Sequence, residues 1–317
     1  MQTSHLGKIK PVLMASLLSS AFFFSCKKSS TSTNASNPGT IAAQVSAGSS
    51  FTLLSSAVAK AGLGATLAGT GPFTVFAPTD SAFNASGITS SVIASLSADQ
   101  LKTILLYHTL TSKVMAAEVP AGPDAKVITA SGDSVFVTNN ANGVFVNGIK
   151  VTQADIPASN GVIHTIGQVL LPPSGNLVDV ASADTSFSYL VAAVTRASTG
   201  STNVAAILSS GGIFTVFAPT NDAFRAAGFP TIASINAADA NTLASILTYH
   251  VLPGRVFSSD LSNGEQPVAA NGEKLTISLN SGATVKGNGN SSASNIIATN
   301  IMASNGVVHV IDQVLLP

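Results

Sequence analysis

Beyond His5 the chain has four histidines, and each sits in a motif written twice. His108 and His250 follow a tyrosine at the end of an apolar run with helical spacing. His164 and His309 lie inside runs reading Gly-Val, then Ile or Val, then His-x-Ile. Imidazole suits metal ligation or proton transfer near neutral pH. The spacing favours neither. Fifty-six residues separate His108 from His164 and 59 separate His250 from His309, with no local ligand pattern joining them. Strand alternation puts His164 with Val162 and Ile166 on one face, so His164 and His309 are expected to be buried imidazoles fixed by hydrogen bonds. His108 and His250 end helices, where they can meet the last carbonyls and the dipole. Asp80 and Asn221 share one position. A catalytic carboxylate would not survive exchange for an amide, but a capping group would, and Thr79 and Thr220 beside them read as helix caps. There is no G-x-S-x-G elbow, P-loop or dinucleotide fingerprint, and acids are too few to pick out a glycosidase pair. The expectation is a non-enzyme with no metal and no cofactor.

The remaining reactive side chain is Cys26, the only cysteine. One cysteine excludes an internal disulfide and a Cys-rich zinc site. Lys8 and Lys10 precede an uncharged, mostly apolar stretch from Pro11 to Phe24. It is too short for a membrane-spanning helix and has the form of a secretory signal. Residues 1–25 are therefore expected to be a signal peptide. Cys26, next to Ser25, resembles the lipid-accepting first residue of a bacterial lipoprotein, although Phe23 and Phe24 depart from that pattern. The alternative is an ordinary signal peptide with Cys26 incidental. Residues 26–39, rich in Ser, Thr, Asn and Lys, read as a flexible tether. The whole chain has 14 basic and 14 acidic residues. Without residues 1–25 and their two lysines, 12 face 14, a net charge of −2. No basic excess points to nucleic acid, and the expected membrane contact is through the lipid anchor alone.

The rest is one module written twice. Thr74–Phe83 and Thr215–Phe224 agree at 8 of 10 positions, and Ala158–Leu171 and Ala303–Leu316 at 11 of 14. A period near 140 residues is a duplicated domain rather than a solenoid. Expected limits are 40–173 and 174–317, divided at Pro172-Pro173-Ser174-Gly175. In each copy apolar spacing predicts helices over Phe51–Ala61 and Phe187–Ala197, and over Asp99–His108 and Asp239–His250. Short strands are expected at Phe73–Phe76 and Phe214–Phe217. Hairpins are expected around Val135–Val137 with Val144–Val146, and around Leu275–Ile277 with Ala283–Val285. A last, central strand is predicted over Gly161–Leu171 and Gly306–Leu316. The class is α+β, helices first and strands after.

The TVFAPT-x-x-AF box, the Tyr-His pair and the ASNGV-x-H-x-I-x-QVLLP box resemble fasciclin (FAS1) domains. The resemblance covers about residues 40–317. It implies two tandem domains, each a β-sheet wedge with helices packed along one edge, and extracellular or cell-surface adhesion without catalysis or cofactor. It also implies candidate binding residues: Tyr107, His108, Asp155 and Ile156 in the first copy, and Tyr249, His250, Asn300 and Ile301 in the second. Asn300 departs from the family's aspartate. The expected partner is a cell-surface or matrix protein, or a polysaccharide, and the expected place is a bacterial cell envelope, on the outer membrane, periplasm-facing or surface-exposed. The alternative function is a polysaccharide-binding accessory lipoprotein of a surface glycan-acquisition assembly. Absence of Trp and only three Tyr weigh against sugar platforms. The copies diverge most at Lys113–Ala130 against Arg255–Glu273, where a ligand surface is expected.

Overall fold

The computed structural model describes residues 38–317. The expected signal peptide, Cys26 and most of the tether lie outside the described residues. The first copy opens with α1 (Ile41–Ala47), α2 (Thr52–Lys60) and α3 (Gly64–Ala68), then strand β1 (Phe73–Pro78). Next come α4 (Asp80–Ala85), α5 (Ser90–Ser95), α6 (Ala98–Tyr107) and β2 (Thr109–Leu110). A 3₁₀ turn (Ala116–Glu118) leads to β3 (Gly122–Ile128), β4 (Ser134–Asn140), β5 (Gly143–Val146), β6 (Ile149–Ala158) and β7 (Gly161–Ile166). The second copy has α7 (Leu177–Ala183), a 3₁₀ turn (Thr185–Phe187), α8 (Ser188–Ala197), α9 (Val204–Ser209) and β8 (Phe214–Pro219). It continues with α10 (Asn221–Ala226), α11 (Ile232–Ala237), α12 (Ala240–Tyr249), β9 (Val251–Pro253), β10 (Thr276–Ser278), β11 (Thr284–Lys286), β12 (Ser294–Ala303) and β13 (Gly306–Ile311).

The first sheet runs β2-β1-β7-β6-β5-β4-β3 and the second β10-β11-β12-β13-β8-β9. In both, the last strand is central and pairs in parallel with the first, Phe73 opposite Gly161 and Phe214 opposite Gly306. The alternation of these central strands divides the core in two. Val75, Ala77 and Ile163 pack into a cluster with Leu54, Phe83, Leu101 and Leu105 from the helices. Phe76 and Ile166 pack with Tyr107, Val135, Val137 and Val146 from the β half. The second copy repeats this with Val216, Ala218 and Val308 on the helical side, and Phe217 and Ile311 on the other.

Two expectations need correction. The last strands end at Ile166 and Ile311, five residues before Leu171 and Leu316. The apolar run continues, but its N–H groups leave the ladder: Val169 donates to Ser86 Oγ (2.9 Å) and Leu170 to His108 Nε2 (2.9 Å). The counterpart of Lys113–Ala130 ends at Ala270 rather than Glu273, because Ala130 N–H donates to Thr109 O and Ala270 N–H to the equivalent Val251 O (2.7 Å each).

Candidate functional site

Asp80 and Asn221 do cap a helix, but not the one they begin. Thr79 and Thr220 serve α4 and α10, accepting from Ala82 N–H (3.3 Å) and Ala223 N–H (3.2 Å). Asp80 reaches the start of α2, accepting from Leu53 N–H (2.8 Å) and from the Thr52 hydroxyl (2.7 Å). Asn221 does the same for α8 through Tyr189 N–H (3.0 Å), and its amide donates to Thr185 O (2.8 Å).

Tyr107 ends α6 and His108 caps it, with relative exposures of 0% and 2%; Tyr249 and His250 repeat these values. The Tyr107 hydroxyl donates to Ser134 O (3.0 Å) and accepts from Asn147 Nδ2 (2.9 Å). Burial pushes its pKa up to about 12 despite the Asn147 bond. His108 Nδ1 donates to Ile104 O (2.7 Å) while Nε2 accepts from Leu170 N–H. A backbone donor on one nitrogen and a carbonyl on the other require the neutral ring. Burial accordingly holds His108 down to about 4, the Ile104 bond opposing it only in part, and His250 is held the same way between Ile246 O and Leu315 N–H. These four side chains, expected as binding residues, are therefore buried in the framework: the histidines join the helix end to the segment beyond the last strand, and the tyrosines join it to the β half.

His164 and His309, 4% and 0% exposed, carry the opposite tautomer. Nε2 donates to Val114 O or Val256 O (2.9 Å each), and Nδ1 accepts from Asp155 N–H (3.1 Å) or Asn300 N–H (3.4 Å). For His309, burial again favours the neutral ring. Asp155 and Asn300 sit at a bulge where register shifts, with φ of 60° and 62°. Left-handed backbone is tolerated by Asp and Asn better than by most residues. Their side chains fix the segment after the short edge strand: Asp155 Oδ1 accepts from Ala116 N–H and Asn300 Oδ1 from Ser258 N–H, each at 2.9 Å. The structure thus brings together His164 and Asp155 (Nδ1–Oδ1 3.8 Å) with Ile156 alongside in half-buried position, and likewise His309, Asn300 and Ile301. It keeps them apart in space from the Tyr-His pair: Phe76 lies between, its N–H on His108 O and its ring 5.9 Å from His164.

The copies touch through residues that sequence reasoning missed. Thr138 Oγ1 donates to Asp260 Oδ1 (3.0 Å) and Asn140 Nδ2 to Ser259 O (3.0 Å). The Arg255 guanidinium lies 3.9 Å from the Phe136 ring centre, and Phe136 packs with Phe257, Met302 and Val307. Burial raises Asp124 to about 6, helped by the Asp260 charge and opposed by Arg255. An alternating strand with an outward Phe136 was the only sequence signal for this joint. Asn300 and Ile301 line a cleft of about 810 Å³ beside it, with Gln100, Asn147 and Leu171. Among the described residues no group of three or more His, Cys, Asp or Glu side chains could hold a metal ion.

Comparison with known proteins follows the duplication. A family model described as Fasciclin domain matches residues 49–172 and 185–317. Protein sll1483 of Synechocystis is 41% identical over 153 residues, 48% of this chain and 79% of that protein. Transforming growth factor-beta-induced protein ig-h3 of Sus scrofa is 31% identical over 259 residues, 81% of this chain but only 35% of that protein. The chain thus spans about a third of this animal relative. A solved FAS1 domain pair from the insect cell adhesion molecule fasciclin I covers 78% of this chain at 19% identity, with a TM-score of 0.41.

Proposed function

The chain belongs to the fasciclin family, and from that membership we propose a non-catalytic adhesion protein of a bacterial cell envelope, lipid-anchored through Cys26, whose first domain engages a cell-surface or matrix protein. Fasciclin domains are associated with cell adhesion and binding, and proteins that carry them are generally extracellular or secreted. The observation that carries the reading is how the repeated residues are used. The Tyr-His pairs and the strand histidines are buried in the framework, while the Asp155 side chain keeps 35% exposure beside the divergent 113–130 segment. That segment also presents Ile128, 63% exposed. An exposed carboxylate and an exposed β-branched apolar side chain suit a protein partner with a complementary cation and pocket.

The test compares cells displaying the wild type with cells displaying Asp155→Asn combined with Ile128→Glu, on surfaces coated with envelope fragments. Asp155→Asn keeps the acceptor for Ala116 N–H, so folding is retained and adhesion is expected to fall. Unchanged adhesion in the folded variant overturns the binding surface. Separately, the wild type should enter the detergent phase and Cys26→Ser should not; a wild type that stays in the aqueous phase overturns the anchor.

A further inference from the structure

The β half of the first domain encloses a cavity of about 170 Å³ under the 113–130 segment. Its wall is mostly apolar and includes the valines Val114, Val119, Val127, Val137, Val144 and Val151. Five of these are only half-buried although they belong to the core of this half, so the space communicates with solvent. The polar groups that line it are occupied by the protein itself. Thr74 Oγ1 donates to Ser112 O (2.7 Å) and accepts from Val114 N–H (2.9 Å). Both His164 nitrogens are bonded, and Glu118 turns its carboxylate to Met115 N–H (2.6 Å). No buried polar side-chain atom lining it lacks a partner among the described residues. A space walled mainly by hydrocarbon, whose buried polar groups are already bonded, holds water weakly, and an apolar void of about 150 Å³ is known to accept benzene.

The second domain shows what filling this wall looks like. Shared bonds fix the equivalences. His164 meets Val114 O where His309 meets Val256 O, which aligns Val119 with Leu261. Tyr107 meets Ser134 O where Tyr249 meets Lys274 O, which aligns Val137 with Ile277. Val151 pairs with Ile166 where Ile296 pairs with Ile311. At these three positions the second domain is larger by one carbon. At Val144, opposite Ala283 by the same register, the exchange runs the other way.

We propose that this cavity is a binding site for a small uncharged apolar molecule of about the size of a single hydrocarbon ring. The site goes beyond the adhesion reading and does not depend on it, because a ligand here contacts the underside of the 113–130 segment and not its outer face. Entry of such a molecule replaces missing van der Waals contacts without displacing any hydrogen bond, so occupancy stabilises the folded state by mass action.

The probe is benzene, added to the full chain and followed by methyl NMR and thermal unfolding. The expected result is a saturable shift of the Val127, Val137 and Val151 methyl signals and a raised unfolding temperature. In the variant carrying Val119→Leu, Val137→Ile and Val151→Ile, benzene affinity should fall at least tenfold. Wild-type valine signals that do not move overturn the proposal, as does a folded triple variant that binds as well as wild type. Should the triple variant not fold, Val137→Ile alone carries the same comparison, with weakened binding expected and unchanged binding overturning it.

Discussion

Asp155 and Asn300 occupy the same backbone position in the two domains, and their surroundings have parted. Both are left-handed, both donate a backbone N–H to a buried histidine, and both hold the segment after the edge strand by the same bond. Asp155 then looks outward. Asn300, also half-buried, turns toward the other domain: its amide donates to Ser258 Oγ (2.8 Å), and the turn at Gly148 of the first domain comes so close that a Cβ there would lie 2.5 Å from Asn300 Nδ2. One elbow is free and the other is part of the joint. Duplication preserved the framework bond and released the remaining valence of the side chain to two different tasks.

The largest expected effect concerns what the domains still share. His108 and His250 are held to about 4 by burial, against an ordinary value of 6.5. As pH falls through this window the unfolded chain takes up protons that the folded chain refuses. The stability is complete above pH 6.5 and declines toward pH 4, by about 3 kcal/mol per histidine. Urea unfolding across this range should show both domains weakening together; a domain that stays level would show that its histidine is not locked neutral.

Next is the joint. Gly148→Ala is expected to cost about 2 kcal/mol, from the contact with Asn300 and from φ of 74°. In an Asn300→Ala background the cost should be smaller, leaving the backbone part alone. Strict additivity in this double-mutant cycle would mean the second elbow is not seated on the turn.

A smaller effect separates the elbows directly. Asn300→Asp removes the donor to Ser258 and should cost about 1 kcal/mol, whereas Asp155→Asn should stay within about 0.5 kcal/mol. Equal costs in thermal unfolding would remove the asymmetry.

The smallest effect lies at the cross-caps. Burial pushes the Asp80 pKa up, but the bonds from Leu53 and Thr52 outweigh it and leave it below the ordinary 3.8. Its contribution is present above that value and lost as pH falls through the folded value. Asn221 cannot titrate. Asp80→Asn should therefore change stability at pH 7 by only a few tenths of a kcal/mol, since the site is largely screened by solvent. It should also remove the part of the first domain's acid response that Asp80 contributes, as read by circular dichroism below pH 4.

What could be read from the sequence follows from the range of each interaction. Helices α2, α6, α8 and α12 were legible because Leu54 with Val58, or Leu101 with Leu105, carry their periodicity within a few residues. The Asp80 and Asn221 exchange was enough to infer a cap, but not that the capped helix begins 28 residues earlier at Thr52. Val169 and Leu170 looked like strand because they are apolar; the Ser86 and His108 groups that draw their N–H bonds away are distant in sequence. The same non-locality concealed β3, whose Gly122, Pro123 and Asp124 lack strand character and which forms by pairing with β4. Tyr107 and His108 were candidates for the surface by family resemblance. Nothing local to them shows that Ser134, Asn147 and Leu170 close over both rings.

The parallel pairing of first and last strands sets the order in which each domain can come into being. Phe73 must wait for Gly161, 88 residues later, and Phe214 for Gly306, 92 residues later. Such distant contacts return their energy only after a long loop has been closed, which makes folding slow and late. A chain emerging amino-terminus first presents β1 with no parallel partner until almost the whole domain has followed. Each domain therefore stays open during emergence and closes as a unit when its final strand arrives. Truncation within β7 or β13 would remove the centre of a sheet rather than trim its rim.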